Sequence, residues 1–190
     1  MNMKIKSTKF IKGLVGYDTI LADGIPQIAF IGRSNVGKSS LINILTSSSI
    51  SRTSSFPGRT QEINIFLINN SFYVVDLPGY GFARTSGLGR EKIGELIDSY
   101  LFNSLYGQKK VVLIIDANIG MTEKDLLMFR ELENHQKDFI IVANKIDKMT
   151  QSEYHNKMNE IKKMVKGHTV IPFSTKKKNG IESLINQIFD

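Results

Sequence analysis

Residues 27–40 read QIAFIGRSNVGKSS. The first five are short and almost wholly apolar, as a strand buried on both faces would be. After Gly32 come Arg33, Ser34, Asn35 and Val36, and then Gly37, Lys38, Ser39 and Ser40, which matches the phosphate loop that joins a strand to a helix. Its glycines let successive backbone N–H groups curl around phosphate oxygens, and the helix N-terminus adds positive potential. Lys38 would reach the β- and γ-phosphates, and the Ser39 hydroxyl would ligate Mg²⁺. The loop alone does not tell adenine from guanine.

Outward from this stretch, four further apolar runs are short, rich in branched residues and scarcely interrupted: Phe72–Val75, Val111–Ile115, Phe139–Ala143 and Val170–Phe173. Between the runs, apolar residues recur at spacings of three and four, as in Ile93, Leu96, Ile97, Tyr100 and Leu101, or Ile181, Leu184, Ile185 and Ile188, which places each set on one helix face. Alternating strands and helices predict an α/β fold of three layers, a mainly parallel sheet with helices on both faces. Glu62–Asn69, joined to the run at Phe72 through Asn69-Asn70-Ser71, reads as a hairpin partner. The expectation is therefore six strands with one antiparallel strand at the edge. Ser47–Arg59, rich in serine, and Leu77–Gly89, rich in glycine, read as long functional loops.

The chain has 190 residues, 41% of them hydrophobic, and a formal charge of +7. That length suits one domain, 1–190, with residues 1–24 as a basic extension packed on it or leading into it. No apolar run approaches the roughly 18–20 residues that cross a bilayer, and nothing at the N-terminus reads as a secretory or transit peptide. The absence of cysteine excludes disulfides, thiolate metal sites and prenylation, and fits a reducing compartment. Lysines cluster at Lys4, Lys6, Lys9 and Lys12, at Lys109 and Lys110, and at Lys157, Lys162, Lys163, Lys166 and Lys176–Lys178. Two readings stand for them: solvated faces, or contacts to a polyanion such as RNA.

Two more motifs define the chemistry. Asp76, Leu77, Pro78 and Gly79 follow the run Phe72–Val75, where a carboxylate at a strand end serves Mg²⁺ and a glycine offers its N–H to the γ-phosphate. Asn144, Lys145, Ile146 and Asp147 close the run Phe139–Ala143. The Asp147 carboxylate can accept from guanine N1–H and the 2-amino group, a pattern adenine does not offer. Asn144 can bridge the purine edge to the phosphate loop, and the Lys145 stem can lie against the base. Ser174, Thr175 and Lys176 follow the last apolar run and bring a backbone N–H toward guanine O6. In this order the motifs select GTP, with GDP as product.

The ordered set GRSNVGKSS, PGRTQ, DLPGYG, NKID and FSTK resembles the translation-factor-related P-loop GTPases, and within them the EngB family of ribosome-biogenesis GTP-binding proteins. SFPGRTQ at 55–61 and DLPGYGFA at 76–83 are the most family-specific parts. Ile93 and Asn118 depart from the family pattern, where tryptophan and arginine are common. The resemblance implies a three-layer P-loop GTPase fold and a cytoplasmic, monomeric enzyme. It also implies assistance to large ribosomal subunit assembly, with ribosomal RNA and large-subunit precursor particles as partners and a link to septation in the cell cycle.

Within Pro57, Gly58, Arg59, Thr60 and Gln61, Thr60 is the candidate switch threonine, its hydroxyl on Mg²⁺ and its N–H on the γ-phosphate; otherwise it simply opens the next strand. The catalytic set is then Lys38, Thr60 and Gly79, and the metal set Ser39, Thr60 and Asp76. Tyr80 stands where many GTPases carry a water-orienting glutamine, and a phenol does not replace an amide, so slow intrinsic hydrolysis is expected. Asn35 resembles the asparagine of potassium-stimulated GTPases, which implies K⁺ beside the phosphates; the alternative is that Asn35 bonds its own loop. Arg33 and Arg59 are either internal arginine fingers or structural. The three histidines show no metal spacing. Competing functions are a GTP-dependent signalling switch acting on a protein effector, and a nucleoside kinase or ATPase, which leaves Asn144 and Asp147 unexplained.

Overall fold

A computed structural model describes residues 4–16, 18–46, 62–81, 87–102 and 107–189. The phosphate loop lies between β2 (Gln27–Gly32) and α1 (Lys38–Leu45). The hairpin is β3 (Ile63–Ile68) and β4 (Phe72–Asp76). Then come α2 (Gly87–Leu101), β5 (Gln108–Asp116), α3 (Glu123–Asn134), β6 (Phe139–Asn144), α4 (Gln151–Met164), β7 (Val170–Pro172) and α5 (Ile181–Phe189). The glycine-rich stretch read as a loop to residue 89 thus enters α2 at Gly87.

The sheet has seven strands rather than the expected six, because the N-terminal residues supply β1 (Thr8–Leu14). The spatial order is β1-β3-β4-β2-β5-β6-β7. Only β3 runs against its neighbours, and β1 covers it, so the reversed strand is not at the edge. The basic extension is therefore partly sheet. Its sequence, TKFIKGL, lacks a clean alternation, and its register on β3 shifts between Phe10 and Lys12. What fixes it is Asn69 in the hairpin turn, which accepts from the Lys6 and Ser7 N–H groups at 2.8 and 3.1 Å and donates to the Lys4 carbonyl at 2.9 Å. Asn69 and Asn70 both have positive φ, 50° and 53°, as the central residues of a β-turn that the Ser71 N–H closes on the Ile68 carbonyl at 2.9 Å within the three-residue connection.

Alternation along the central strands feeds two cores. Ile28 and Phe30 of β2 pack with Leu41, Ile42, Leu184 and Ile188 of α1 and α5. Ala29 and Ile31 pack with Ile97, Leu101, Phe129, Leu132 and Ile161 of α2, α3 and α4. Both faces are thus covered, as buried parallel strands demand. After β2 the chain first builds β3 and β4 on one side and then β5 to β7 on the other. The phosphate loop therefore leaves the sheet at the point where strand order reverses, outside the carboxyl ends of the strands, where ligands bind in open α/β sheets.

Candidate functional site

Local sterics explain the glycines of the phosphate loop. A Cβ on Gly32 would lie 2.5 Å from the Ile114 carbonyl, and one on Gly37 would lie 2.4 Å from the Asn144 amide nitrogen. Gly37 also has φ of 96° and caps α1 with no side-chain bond, so no side-chain cap takes the helix's first N–H groups, the donors an anion needs. Val36 is buried; Ser39 and Ser40 are half-buried in the first turn of α1. Lys38 is buried and pairs with the equally buried Asp76, which closes β4 beside β2. Leu77 and Pro78 are buried next to it, with the Leu77 N–H on the Phe30 carbonyl at 3.1 Å. Gly79 follows against Ser34.

The far end of the rim is tied to the same loop. Asn144, with no exposed surface, donates to the Val36 carbonyl at 2.7 Å and accepts from the Thr175 N–H at 3.3 Å. Lys145 has φ of 70° and donates both to the Asn35 carbonyl at 2.6 Å and to Asp116 at 2.7 Å. Its stem is thereby laid across the gap between β6 and the phosphate loop. The buried Ser174 hydroxyl donates to Asp147 at 2.5 Å and accepts from the Lys177 N–H at 3.0 Å. Ser174, Thr175 and Lys176 are held in a tight turn that the Ser174 N–H closes on the Asn179 carbonyl at 3.1 Å, with Gly180 following at φ of 89°. Gly32 to Ser40, Asp76 to Gly79, Asn144 to Asp147 and Ser174 to Lys176 are thus brought to one rim. Pro57, Gly58, Arg59 and Thr60 lie outside the described residues.

Two acidic residues absent from the sequence reading belong to this frame. Asp116 ends β5 and anchors Lys145; its signal was a carboxylate closing a buried strand, the same signal that exposed Asp76. Asp125 is fully buried at the start of α3, where Thr122 and Asp125 form a capping box; the Thr-x-x-acid spacing was the signal there. Asp125 also takes the Arg33 Nε at 2.9 Å and the Tyr80 hydroxyl at 3.0 Å. Arg33 therefore has a structural engagement, and Tyr80 points to α3. Burial, reinforced by the charge of Asp125 and its hydrogen bond, pushes the Tyr80 phenol well above its usual pKa. Asn35 is exposed with φ of 66°, and its side chain makes no hydrogen bond among the described residues. Of the histidines, His168 stacks on Phe139 and bonds Glu133 at 2.9 Å, and His135 and His155 each bond a carbonyl of their own helix.

The order in which these segments reach the rim is that of the P-loop GTPases, enzymes that convert GTP to GDP and phosphate, and known proteins agree. The family model described as "50S ribosome-binding GTPase" matches residues 27–145, and that of the elongation factor Tu GTP-binding domain matches residues 102–190. The chain is 39% identical to a probable GTP-binding protein EngB of Clostridium perfringens, across 99% of this chain and 97% of that protein. It is 40% identical to the EngB of Clostridioides difficile, across 98% and 93% of the two. A crystal structure of a probable EngB superposes with a TM-score of 0.73 at 28% identity, covering 86% of this chain and 96% of the other. The chain belongs to the EngB family of GTP-binding proteins.

Proposed function

We propose that this GTPase is a cytoplasmic assembly factor for the large ribosomal subunit, docking on precursor ribosomal RNA in its GTP form and leaving after a slow hydrolysis. The observation that carries the reading is the surface beside the guanine end of the rim. Lys176, Lys177 and Lys178 after β7 stand there exposed, while Lys162 and Lys163 at the C-terminal end of α4 and Lys166 just beyond it form a second exposed basic group at the opposite end of the sheet; none forms an ion pair among the described residues. Lys109 and Lys110 are different: one donates to the Phe189 carbonyl and lies over Phe72, the other pairs with Asp138. The description of the matching family as ribosome-binding supports the same partner. No described helix is long and apolar enough to cross a membrane.

Within the site, Lys38 and the backbone N–H groups of Gly32 to Ser40 would hold the phosphates. Gly79 and Thr60 would read the γ-phosphate, and Asp147, with Asn144, Lys145 and the Ser174–Lys176 turn, the guanine. Mg²⁺ fits the chemistry of the described donors, the Ser39 hydroxyl and the Asp76 carboxylate, and Thr60 would add a further hydroxyl, all hard oxygens. When bound, it supplies neutralisation of phosphate charge. Tyr80, turned to α3, leaves the orienting of water to a partner, another loop or a cation; a K⁺ ion beside Asn35 is the proposed cation. The test is sedimentation of the protein, bound to a non-hydrolysable GTP analogue, with cell-extract ribosomal particles. Salt-sensitive comigration with large-subunit particles is expected, weaker with GDP, and absence of comigration in low salt would overturn the assignment.

A further inference from the structure

We propose that Asp125 is a positioning residue for GTP: through Tyr80 and Arg33 it holds Gly79 against the phosphate loop, so that the protein itself places the N–H that meets the γ-phosphate. The proposal rests on the assignment of Gly79 made above. Four groups converge on the buried Asp125 carboxylate. They are Arg33 Nε at 3.0 and 2.9 Å, the Tyr80 hydroxyl at 3.0 Å, and the Thr122 N–H and hydroxyl at 3.0 and 2.8 Å. A helix cap needs only the Thr122 pair. The other two tie the start of α3 to the phosphate loop and to the residue after Gly79.

Backbone contacts complete the tether. The Tyr80 N–H donates to the Gly32 carbonyl at 3.3 Å, and the Ser34 N–H donates to the Tyr80 carbonyl at 3.2 Å. Lys124 Nζ reaches the Gly81 carbonyl at 3.2 Å. Gly79 is gripped between these points: a Cβ there would lie 2.9 Å from Ser34 Oγ and 3.1 Å from Ser34 Cα. A segment fixed in this way loses less freedom when a γ-phosphate engages it, which favours GTP over GDP. Tyr80 acts in this tether, and the work of the missing glutamine falls elsewhere.

The test is competition binding of GDP and a non-hydrolysable GTP analogue against a fluorescent guanine nucleotide. Tyr80→Phe and Asp125→Asn are each expected to weaken the GTP analogue about tenfold relative to GDP, the size of one lost hydrogen bond to a charged group. Tyr80→Phe keeps the cap of α3 and decides the matter where Asp125→Asn does not fold. Thr150→Ala removes the equivalent cap of α4 and is expected to lower stability with the GTP:GDP ratio unmoved, as a merely structural role would. Gly79→Ala examines the underlying assignment, and an unchanged ratio there overturns that assignment. If Gly79→Ala lowers the ratio while Tyr80→Phe leaves it unchanged or raises it, the tether alone is overturned.

Discussion

Asn144 joins three segments with one buried amide, and its removal has a computable cost. In Asn144→Ala the Val36 carbonyl loses its 2.7 Å donor inside the protein, and an unsatisfied buried acceptor costs about 1–3 kcal/mol. The Thr175 N–H loses a longer bond of 3.3 Å, worth about 0.5–1 kcal/mol because water can replace part of it. The sum is about 1.5–4 kcal/mol, read as a lower urea midpoint at constant slope. GDP provides a second measurement. At a concentration 100 times the wild-type Kd, ligand linkage adds about 2.7 kcal/mol to the wild type, and only about 1.4 kcal/mol to a variant whose affinity has fallen tenfold. The variant is expected to show the smaller gain, because the phosphate loop and the Ser174–Lys176 turn are no longer held in register. Asn144→Asp, which sets a carboxylate against the Val36 carbonyl, is expected to be destabilised at least as much. A loss under about 1 kcal/mol, or an undiminished gain from GDP, would refute the bridge.

Three other outcomes are expected. Asp147→Asn exchanges an acceptor for a donor against the purine 2-position, so GTP affinity should fall by about 10²-fold or more, for two charge-assisted hydrogen bonds, while xanthosine triphosphate gains; nucleotide competition reads both. Turnover measured in KCl and in NaCl at equal ionic strength should be faster in KCl, and equal rates would sink the role of Asn35. Gly180→Ala combines a φ of 89° with a Cβ placed 2.5 Å from the Pro172 carbonyl, for a cost of about 2 kcal/mol; a drop in Tm of about 4–8 °C should follow for a chain of this size, visible by circular dichroism.

What was legible in the sequence is what local rules dictate. QIAFI, VVLII and FIIVA are short runs rich in branched residues that read as buried strands, and they are strands; the place of each rim motif at a strand end follows from them. Strand β1 escaped because its residues TKFIKGL carry no period of their own; it is placed by Asn69, more than fifty residues away in sequence. Asp125 escaped for a related reason. Its capping role is a four-residue signal, but its bonds to Arg33 and Tyr80 span 92 and 45 residues, and only the packing of α3 beside the phosphate loop creates them.

The placement of β1 bears on how the protein is made. Thr8–Leu14 leaves the ribosome well before its partner, Ile63–Ile68. The nascent strand therefore waits for the hairpin to emerge before it can pair with it, a long-range closure of the kind that slows folding and exposes strand edges. Once docked, β1 is the outermost strand, and the exposed Lys9 and half-buried Lys12 set charge along it, which discourages a second chain from adding there.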